Sequence, residues 1–209
     1  MIKLLLTDLD GTLINGSGVL QFASYLIEKG VIQDDLARIQ WEEDKKNETK
    51  ICNYGDYFKQ SLKGLDYDYI ENLAEEFVNL DILKYYPQAI DILNSCKKDN
   101  YMCIIISGSC DFLVEKIAKH LGIFGYGAYY ELKNEKFTGN VSIPTYSYNV
   151  KKDIIENLVR PEYIDNIVGL GDTASDIAIA EYSDEFYLVQ PNVDTRNQYI
   201  KLQVEFTEI

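Results

Sequence analysis

Short apolar runs alternate with amphipathic helical patterns over the second half of the chain, and this alternation constrains the fold more than any other feature. The patterns predict helices over residues 87–98, 111–120, 150–159 and 174–181, strands over 101–106, 166–170 and 185–189, and a hairpin across 129–141. Strands separated by helices indicate a parallel sheet with right-handed crossovers. The sequence therefore predicts an α/β protein with a Rossmann-like parallel sheet.

The first strand is predicted over Ile2–Thr7, and the chain then departs from the alternation. Residues 20–80 carry helical patterns that glycines interrupt, with little of the two-residue alternation of strands. We expect an inserted all-helical cap at residues 16–85 and a core formed by residues 1–15 and 86–209. A length of 209 residues suits one domain with such an insertion.

Charge and hydropathy exclude several classes of partner. The chain carries 20 Lys and Arg against 34 Asp and Glu, a net charge of −14, which is unsuited to tracking a phosphate backbone. It also contains neither a signal-peptide pattern nor an apolar run of about 20 residues. We expect a cytoplasmic protein that binds neither nucleic acid nor membrane, and the sequence does not predict its oligomeric state.

The cysteines and the histidine are not expected to form a zinc site. The four cysteines contain no CxxC pair, and the chain has one histidine, His120. We expect reduced cysteines packed as small apolar groups, and His120 near the C-terminus of a helix that ends before Gly122.

Polar residues follow the predicted strands at the edge where ligands bind in open parallel sheets. They lie in four segments: Asp8–Thr12, Ser107–Cys110, the residues near Lys151, and Gly171–Asp176. Function is therefore expected at this edge.

The first two segments each allow two interpretations. Asp8 and Asp10 suit a nucleophile beside an acid/base group, or a pair of carboxylates that cap the next turn. Ser107 suits a hydroxyl placed where a helix N-terminus favours an anion, or an ordinary N-cap.

The other two segments also have structural alternatives. Lys151 and Lys152 open a helix, where cations oppose the helix dipole, and could equally be surface lysines. Asp172 and Asp176 share a face or cap a turn. Taken together, oxygen ligands from two strand ends suit Mg²⁺, and a hydroxyl with a lysine suits a phosphoryl group.

The four segments, in this order and spacing, resemble the motifs of the haloacid dehalogenase superfamily. The Asp8-Leu9-Asp10-Gly11-Thr12 form is that of its phosphatases and phosphotransferases, and the helical block is similar to the family's C1-type cap. The stretch SGSCDFLVEKIAKHLGI, followed by NEKFTGNVSIP and a helix that a lysine opens, is similar to the phosphoserine-phosphatase-like branch. This resemblance implies the superfamily's Rossmann-like fold.

The resemblance implies a role for each motif residue. Asp8 would attack phosphorus and carry an aspartyl-phosphate, while Asp10 would protonate the leaving group and then activate water. The implied Mg²⁺ ligands are Asp8, the backbone carbonyl of Asp10, and Asp172. Asp176 would hold the ion's waters or position the lysine.

The implied phosphoryl contacts come from three segments. They are Thr12, Ser107, the N–H of Gly108, and Lys151, with Lys152 as the alternative lysine. The substrate is expected to be a small phosphorylated metabolite.

Two departures argue against phosphoserine as that substrate. Ser17 stands where phosphoserine phosphatases place an acidic residue, and no arginine follows Phe58–Lys63 before Gly64. The cap instead offers aromatic residues that either pack its helices or form a cavity for a cationic alcohol phosphate such as phosphocholine, namely Tyr25, Trp41, Tyr54, Tyr57 and Phe58.

We therefore expect a Mg²⁺-dependent phosphatase acting on a small phosphomonoester. Two alternatives stay open: a phosphomutase or phosphotransferase with the same residues, and a non-catalytic protein that binds phosphoesters.

Overall fold

The computed structural model describes residues 1–32, 39, 42–43 and 54–209. Most of the helical pattern near residues 36–46, including Trp41, lies outside the described residues. The strands of the described chain are β1 (Ile2–Thr7), β2 (Met102–Cys110), β3 (Phe124–Lys133), β4 (Lys136–Ile143), β5 (Ile164–Gly171), β6 (Glu185–Leu188) and β7 (Thr207–Glu208).

These strands form one sheet in the order β4-β3-β2-β1-β5-β6-β7. Every neighbouring pair is parallel except β3 and β4, which form an antiparallel hairpin. The α-helices of the described chain are α1 (Gly18–Glu28), α2 (Gly55–Ser61), α3 (Tyr67–Asn79), α4 (Pro87–Lys98), α5 (Asp111–Leu121), α6 (Tyr148–Leu158), α7 (Ile177–Ala180) and α8 (Val193–Lys201). The predicted α/β parallel sheet is confirmed.

Helices cover both faces of the sheet. Successive residues of a strand point to opposite faces, so one strand contributes to both layers. Leu5 of β1 packs in one layer with residues of α4, α5 and the first three helices, including Phe112. Leu4 and Leu6 pack in the other layer with residues of α6 to α8, including Ile155. β1 is therefore buried on both sides, as its continuous apolar sequence predicts.

The helix predictions agree with the structure to within a few residues. α4 spans Pro87–Lys98 as expected, with proline in its first turn. α5 ends at Leu121, one residue later than predicted, and Gly122 closes it at φ 67° with His120 in the last turn. The helix expected over 174–181 begins instead as a 3₁₀ turn over Ala174–Asp176.

The hairpin prediction covered only part of its first strand. β3 begins at Phe124 rather than near residue 129, because its first half pairs in parallel with β2, as in the pair Ile104 and Phe124. The sequence did not predict α8, β7 or the 3₁₀ turn over Pro161–Tyr163. α8 buries only Thr195 and Tyr199, so its sequence has no apolar stripe.

The segment that leads from β1 into α1 runs beside the segment that leads from α3 into α4. The N–H of Asn15 donates to the carbonyl of Lys84 at 2.7 Å, and that of Tyr86 donates to Leu13 at 2.9 Å. α3 lies against α5, where Lys116 pairs with Glu71 at 2.9 Å. The division into a cap at residues 16–85 and a core stays a prediction.

Two further observations concern the remaining expectations. None of the described helices has the length and apolar character needed to cross a membrane. Cys96, Cys103 and Cys110 are buried free thiols, as their packing role predicts, and Cys52 lies outside the described residues.

Candidate active site

The sheet brings the predicted site residues to one edge. Asp8 follows β1, Ser107 lies near the end of β2, and Asp172 follows β5, three strands that are neighbours in the sheet. Lys151 comes from the first turns of α6, whose N-terminus is capped by the hydroxyl of Ser147. Residues far apart in sequence are thus close in space.

Lys151 lies between two carboxylates in the interior. Its Nζ is 2.8 Å from Asp8 Oδ1 and 2.5 Å from Asp176 Oδ1, and its side chain is 2% exposed. Burial lowers the pKa of the Lys151 ammonium, but Asp176 and Asp8 outweigh burial and the pKa stays above its ordinary value. Lys152 points elsewhere, with its Nζ 3.4 Å from Glu181 at the surface. Lys151 is therefore the lysine that contacts Asp8.

Three donors surround the Asp10 carboxylate. Its Oδ1 accepts the N–H of Gly18 at 2.5 Å. Its Oδ2 accepts the hydroxyls of Ser109 at 2.6 Å and Ser107 at 3.2 Å. Burial raises the pKa of the Asp10 carboxyl, and these hydrogen bonds oppose the rise. The Asp10 side chain is therefore fixed in orientation beside Ser107.

Asp8 also belongs to a group of three carboxylates. Oxygen atoms of Asp8, Asp172 and Asp176 lie within 4.8 Å of one another. Asp176 Oδ2 accepts the N–H groups of Asp172 and Thr173 at 3.1 and 2.9 Å, and the Thr173 hydroxyl at 2.8 Å. Lys151 donates to its Oδ1, so both oxygens of Asp176 accept hydrogen bonds from protein groups.

The Asp8 and Asp172 oxygens are the members of this group that suit a divalent cation. Burial raises the pKa of the Asp8 carboxyl, against the opposing effect of Lys151. Burial, then Asp176 and Asp8, raise the pKa of Asp172 well above its ordinary value. Buried carboxylates that repel one another are stabilised by a cation, and hard oxygen donors suit Mg²⁺. The donor set therefore fits the expected metal.

Gly11 lets the backbone turn close to this group. Its φ is +79°, and a Cβ built on it would lie 2.2 Å from Asp172 Oδ2. The glycine is thus required both by the left-handed backbone and by the approach of Asp172.

Gly11→Ala is expected to lower kcat/KM about 10²-fold, because it displaces the Asp172 carboxylate from its position. The left-handed backbone adds a stability cost of roughly 1–2 kcal/mol. Enzyme kinetics and thermal unfolding measure the two effects. Gly30→Ala is the matched control, because Gly30 has φ +69° and nothing within 4 Å of its Cβ position. Equal activity losses in both variants would contradict the steric explanation.

The residues expected to hold the phosphoryl group surround the same edge. Ser107 is fully buried, and its Oγ accepts the N–H of Ser109 at 3.1 Å. Gly108 lies between these serines at the end of β2. The hydroxyl of Thr12 donates to Asp172 Oδ1 at 2.9 Å, so in this structure it holds a carboxylate. A phosphate contact from Thr12 stays a prediction.

Two residues of the site were not identified from the sequence. Ser109 lies in one of the four predicted segments, but β2 changes register there, so strand alternation does not indicate its contact with Asp10. Thr145 is buried, and its hydroxyl donates to the carbonyl of Ser107. No sequence signal connects a residue between β4 and α6 with β2.

The cap aromatics mostly pack with one another. Tyr25, Tyr54 and Phe58 are buried in the apolar layer that contains Phe112. The ring of Phe58 meets that of Phe22 edge-on at 6.2 Å. The structure thus favours the packing interpretation over a cation-binding cavity for these three residues. Tyr57 is half-buried, and Trp41 lies outside the described residues.

Solved structures share the architecture around this site. A crystal structure of a protein of unknown function from Bordetella pertussis Tohama I has a TM-score of 0.82 and 16% identity, covering 99% of this chain and 98% of that one. A phospho-aspartyl intermediate analogue of phosphoserine phosphatase has a TM-score of 0.65 and 22% identity, covering 94% and 90%. These likenesses show the fold.

Sequence comparisons identify the family. The chain matches the haloacid dehalogenase-like hydrolase family over residues 5–181. It is 30% identical over 183 residues to a phosphoserine phosphatase of Methanocaldococcus jannaschii, covering 85% of this chain and 80% of the relative. The predicted fold and the prediction of a phosphatase are confirmed. The chain belongs to the haloacid dehalogenase-like hydrolase family, within which it is similar to phosphoserine phosphatases.

Proposed function

We propose that the chain is a Mg²⁺-dependent phosphatase that hydrolyses a small phosphomonoester through an aspartyl-phosphate on Asp8. The observation that carries the proposal is the position of Asp8, whose Oδ1 is 2.8 Å from Lys151 Nζ and which lies within 4.8 Å of an Asp172 oxygen. An ammonium and a cation site flanking one carboxylate suit the meeting of that carboxylate with a phosphate dianion.

Asp8, Asp172 and the backbone carbonyl of Asp10 would hold Mg²⁺. The ion supplies positive charge that reduces repulsion between the nucleophile and the phosphoryl oxygens. Asp176 would act indirectly, because its oxygens already accept hydrogen bonds from Lys151 and Thr173.

The phosphoryl group would lie between Asp8 and the end of β2. Ser107 and the N–H of Gly108 would donate to its oxygens, and Lys151 would supply a buried positive charge. Thr12 would serve this site mainly by holding Asp172, to which its hydroxyl donates at 2.9 Å.

The reaction would proceed in two displacements. Asp8 attacks phosphorus as the bond to the ester oxygen breaks, and Asp10 gives that oxygen its proton. Asp10 then takes a proton from water as the water oxygen attacks phosphorus, which frees Asp8 and releases phosphate. The protonation of Asp10 is restored at the end of the cycle.

The cap at residues 16–85 would admit small substrates to the site and exclude large ones. α1 supports this role, because Gly18 at its start donates directly to Asp10. Ser17 caps α1 through its hydroxyl and supplies no carboxylate for a substrate ammonium. The cap sequence contains one arginine, Arg38, which lies outside the described residues. The lack of a carboxylate at position 17 favours a substrate other than phosphoserine.

The purified protein is expected to release phosphate from p-nitrophenyl phosphate with Mg²⁺, to lose this activity with EDTA, and to regain it with excess Mg²⁺. Colorimetric assay of p-nitrophenol and phosphate measures both products. Activity that persists in EDTA would contradict metal dependence.

A panel of small phosphorylated metabolites then tests the substrate class. Phosphoserine and phosphocholine belong in it, with a folded phosphoprotein as the control for access. Isomerised sugar phosphates without free phosphate would favour a phosphomutase. Equal activity on the phosphoprotein would contradict the proposed role of the cap.

A further inference from the structure

Ser109 contacts the carboxylate of Asp10, the proposed acid/base group. It is not among the residues proposed to bind the phosphoryl group. Its Oγ donates to Asp10 Oδ2 at 2.6 Å, closer than the 3.2 Å contact from Ser107. Ser107 and Ser109 are two apart near the end of β2, and both hydroxyls reach the same oxygen of Asp10.

The two hydroxyls would have different tasks once substrate binds. In the proposed function, Ser107 donates to a phosphoryl oxygen, and a hydroxyl has a single proton to donate. Ser109 would then be the serine that still holds Asp10 Oδ2. The residue is 1% exposed, so water does not readily replace this contact.

The backbone of Ser109 is held in place by close packing. A Cβ on Gly127 of β3 would lie 2.7 Å from the Ser109 carbonyl oxygen and 2.4 Å from Asp111 Cα. β3 therefore approaches the end of β2 as closely as a residue without a side chain permits. This contact limits movement of the backbone that carries the Ser109 side chain.

The contacts also distinguish the two oxygens of Asp10. Oδ1 faces the N–H of Gly18, which can only donate, whereas Oδ2 faces hydroxyls, which can donate or accept. When Oδ2 carries the proton, its remaining lone pair can still accept from the Ser109 hydroxyl, which leaves that proton for the leaving-group oxygen. Oδ2 also lies beside Ser107, next to the expected phosphoryl group.

We propose that Ser109 is a positioning residue that keeps Asp10 Oδ2 aimed at the leaving-group oxygen. The proposal rests on the proposed function, in which Asp10 protonates that oxygen. Ser109 touches neither substrate nor metal in this role and acts only through Asp10.

Ser109→Ala tests the proposal through its dependence on the leaving group. We expect kcat/KM for phenyl phosphate to fall about tenfold, and that for p-nitrophenyl phosphate to fall less than about threefold. Nitrophenolate leaves more readily and needs the proton less, while the two esters have similar shapes. A merely structural loss would affect both esters equally.

The Asp10→Asn background supplies the second measurement. If Ser109 acts through Asp10, adding Ser109→Ala there should change kcat/KM less than about twofold for either ester. Ser183→Ala is the matched control, because the Ser183 hydroxyl donates to the Ile179 carbonyl at 2.9 Å, away from the site. We expect this control to match wild type on both esters.

Several outcomes would overturn the assignment of Ser109. They are equal losses on both esters, no loss, or the same loss with Asp10 already replaced. If Ser109→Ala does not fold, Ser109→Cys provides the same comparison with a weaker donor. A wild-type protein inactive on both esters would contradict the proposed function itself.

Discussion

Asp8→Asn is expected to lower kcat/KM for p-nitrophenyl phosphate by roughly 10⁴-fold or more, because an amide cannot replace a carboxylate nucleophile. The fold should persist, since the amide has nearly the same shape. Lys151 would keep its 2.5 Å contact with Asp176, so its charge would not be left unpaired. Phosphate release and circular dichroism measure the two expectations.

Asp153→Asn is the matched control for the change of charge. Asp153 is exposed on α6, two residues beyond Lys151, and should keep full activity. In wild type, acid quenching during turnover should leave one phosphoryl group on the peptide that contains Asp8, detectable by mass spectrometry. BeF₃⁻ with Mg²⁺ should occupy the same side chain. A label on another carboxylate, or an active Asp8→Asn variant, would contradict the nucleophile assignment.

The location of the site could be predicted because strand ends are visible in the sequence. Apolar runs place Asp8, Ser107 and Asp172 after buried strands, and the parallel topology brings those ends together. The same signal does not reveal α8 or β7. These elements depend on tertiary contacts, such as the packing of Tyr199 against Phe186 at 5.6 Å between ring centroids.

The choice between neighbouring residues needed the structure. Lys151 and Lys152 are adjacent on a helix, so their side chains differ in direction by about 100°. The sequence does not fix the rotation of α6 about its axis. Packing does, since Ile155, one turn after Lys151, is fully buried in the apolar layer beneath the sheet.

The contacts of Thr12, Ser109 and Thr145 also could not be predicted from the sequence. Each contact depends on the path of a loop or a strand end, and not on the repeat of apolar residues that marks helices and strands in the sequence. β2 changes register between Ile106 and Cys110, which is where the two serines turn toward Asp10. Hydroxyl groups of this kind are identified only when their partners are known.

Asp10→Asn is expected to slow esters in proportion to their need for a proton. General acid–base catalysis contributes about 10²–10⁴-fold, so kcat/KM for phenyl phosphate should fall about 10²-fold and that for p-nitrophenyl phosphate much less. The amide should retain the local structure. Its oxygen can accept from Gly18, and its NH₂ can donate to the serine hydroxyls, which also accept.

Hydrolysis of the aspartyl-phosphate should show the second role of Asp10, which is to take a proton from water. Without a base, water would attack the aspartyl-phosphate slowly, so Asp10→Asn should release p-nitrophenol in a rapid burst equal to the enzyme concentration. Stopped-flow absorbance measures the burst, and acid quenching measures the phosphoenzyme that accumulates with it. Asp153→Asn should show wild-type kinetics. Equal losses on both esters without a burst would mean that Asp10 serves the structure of the site rather than proton transfer. A burst combined with leaving-group dependence would assign both proton transfers to this one carboxyl group.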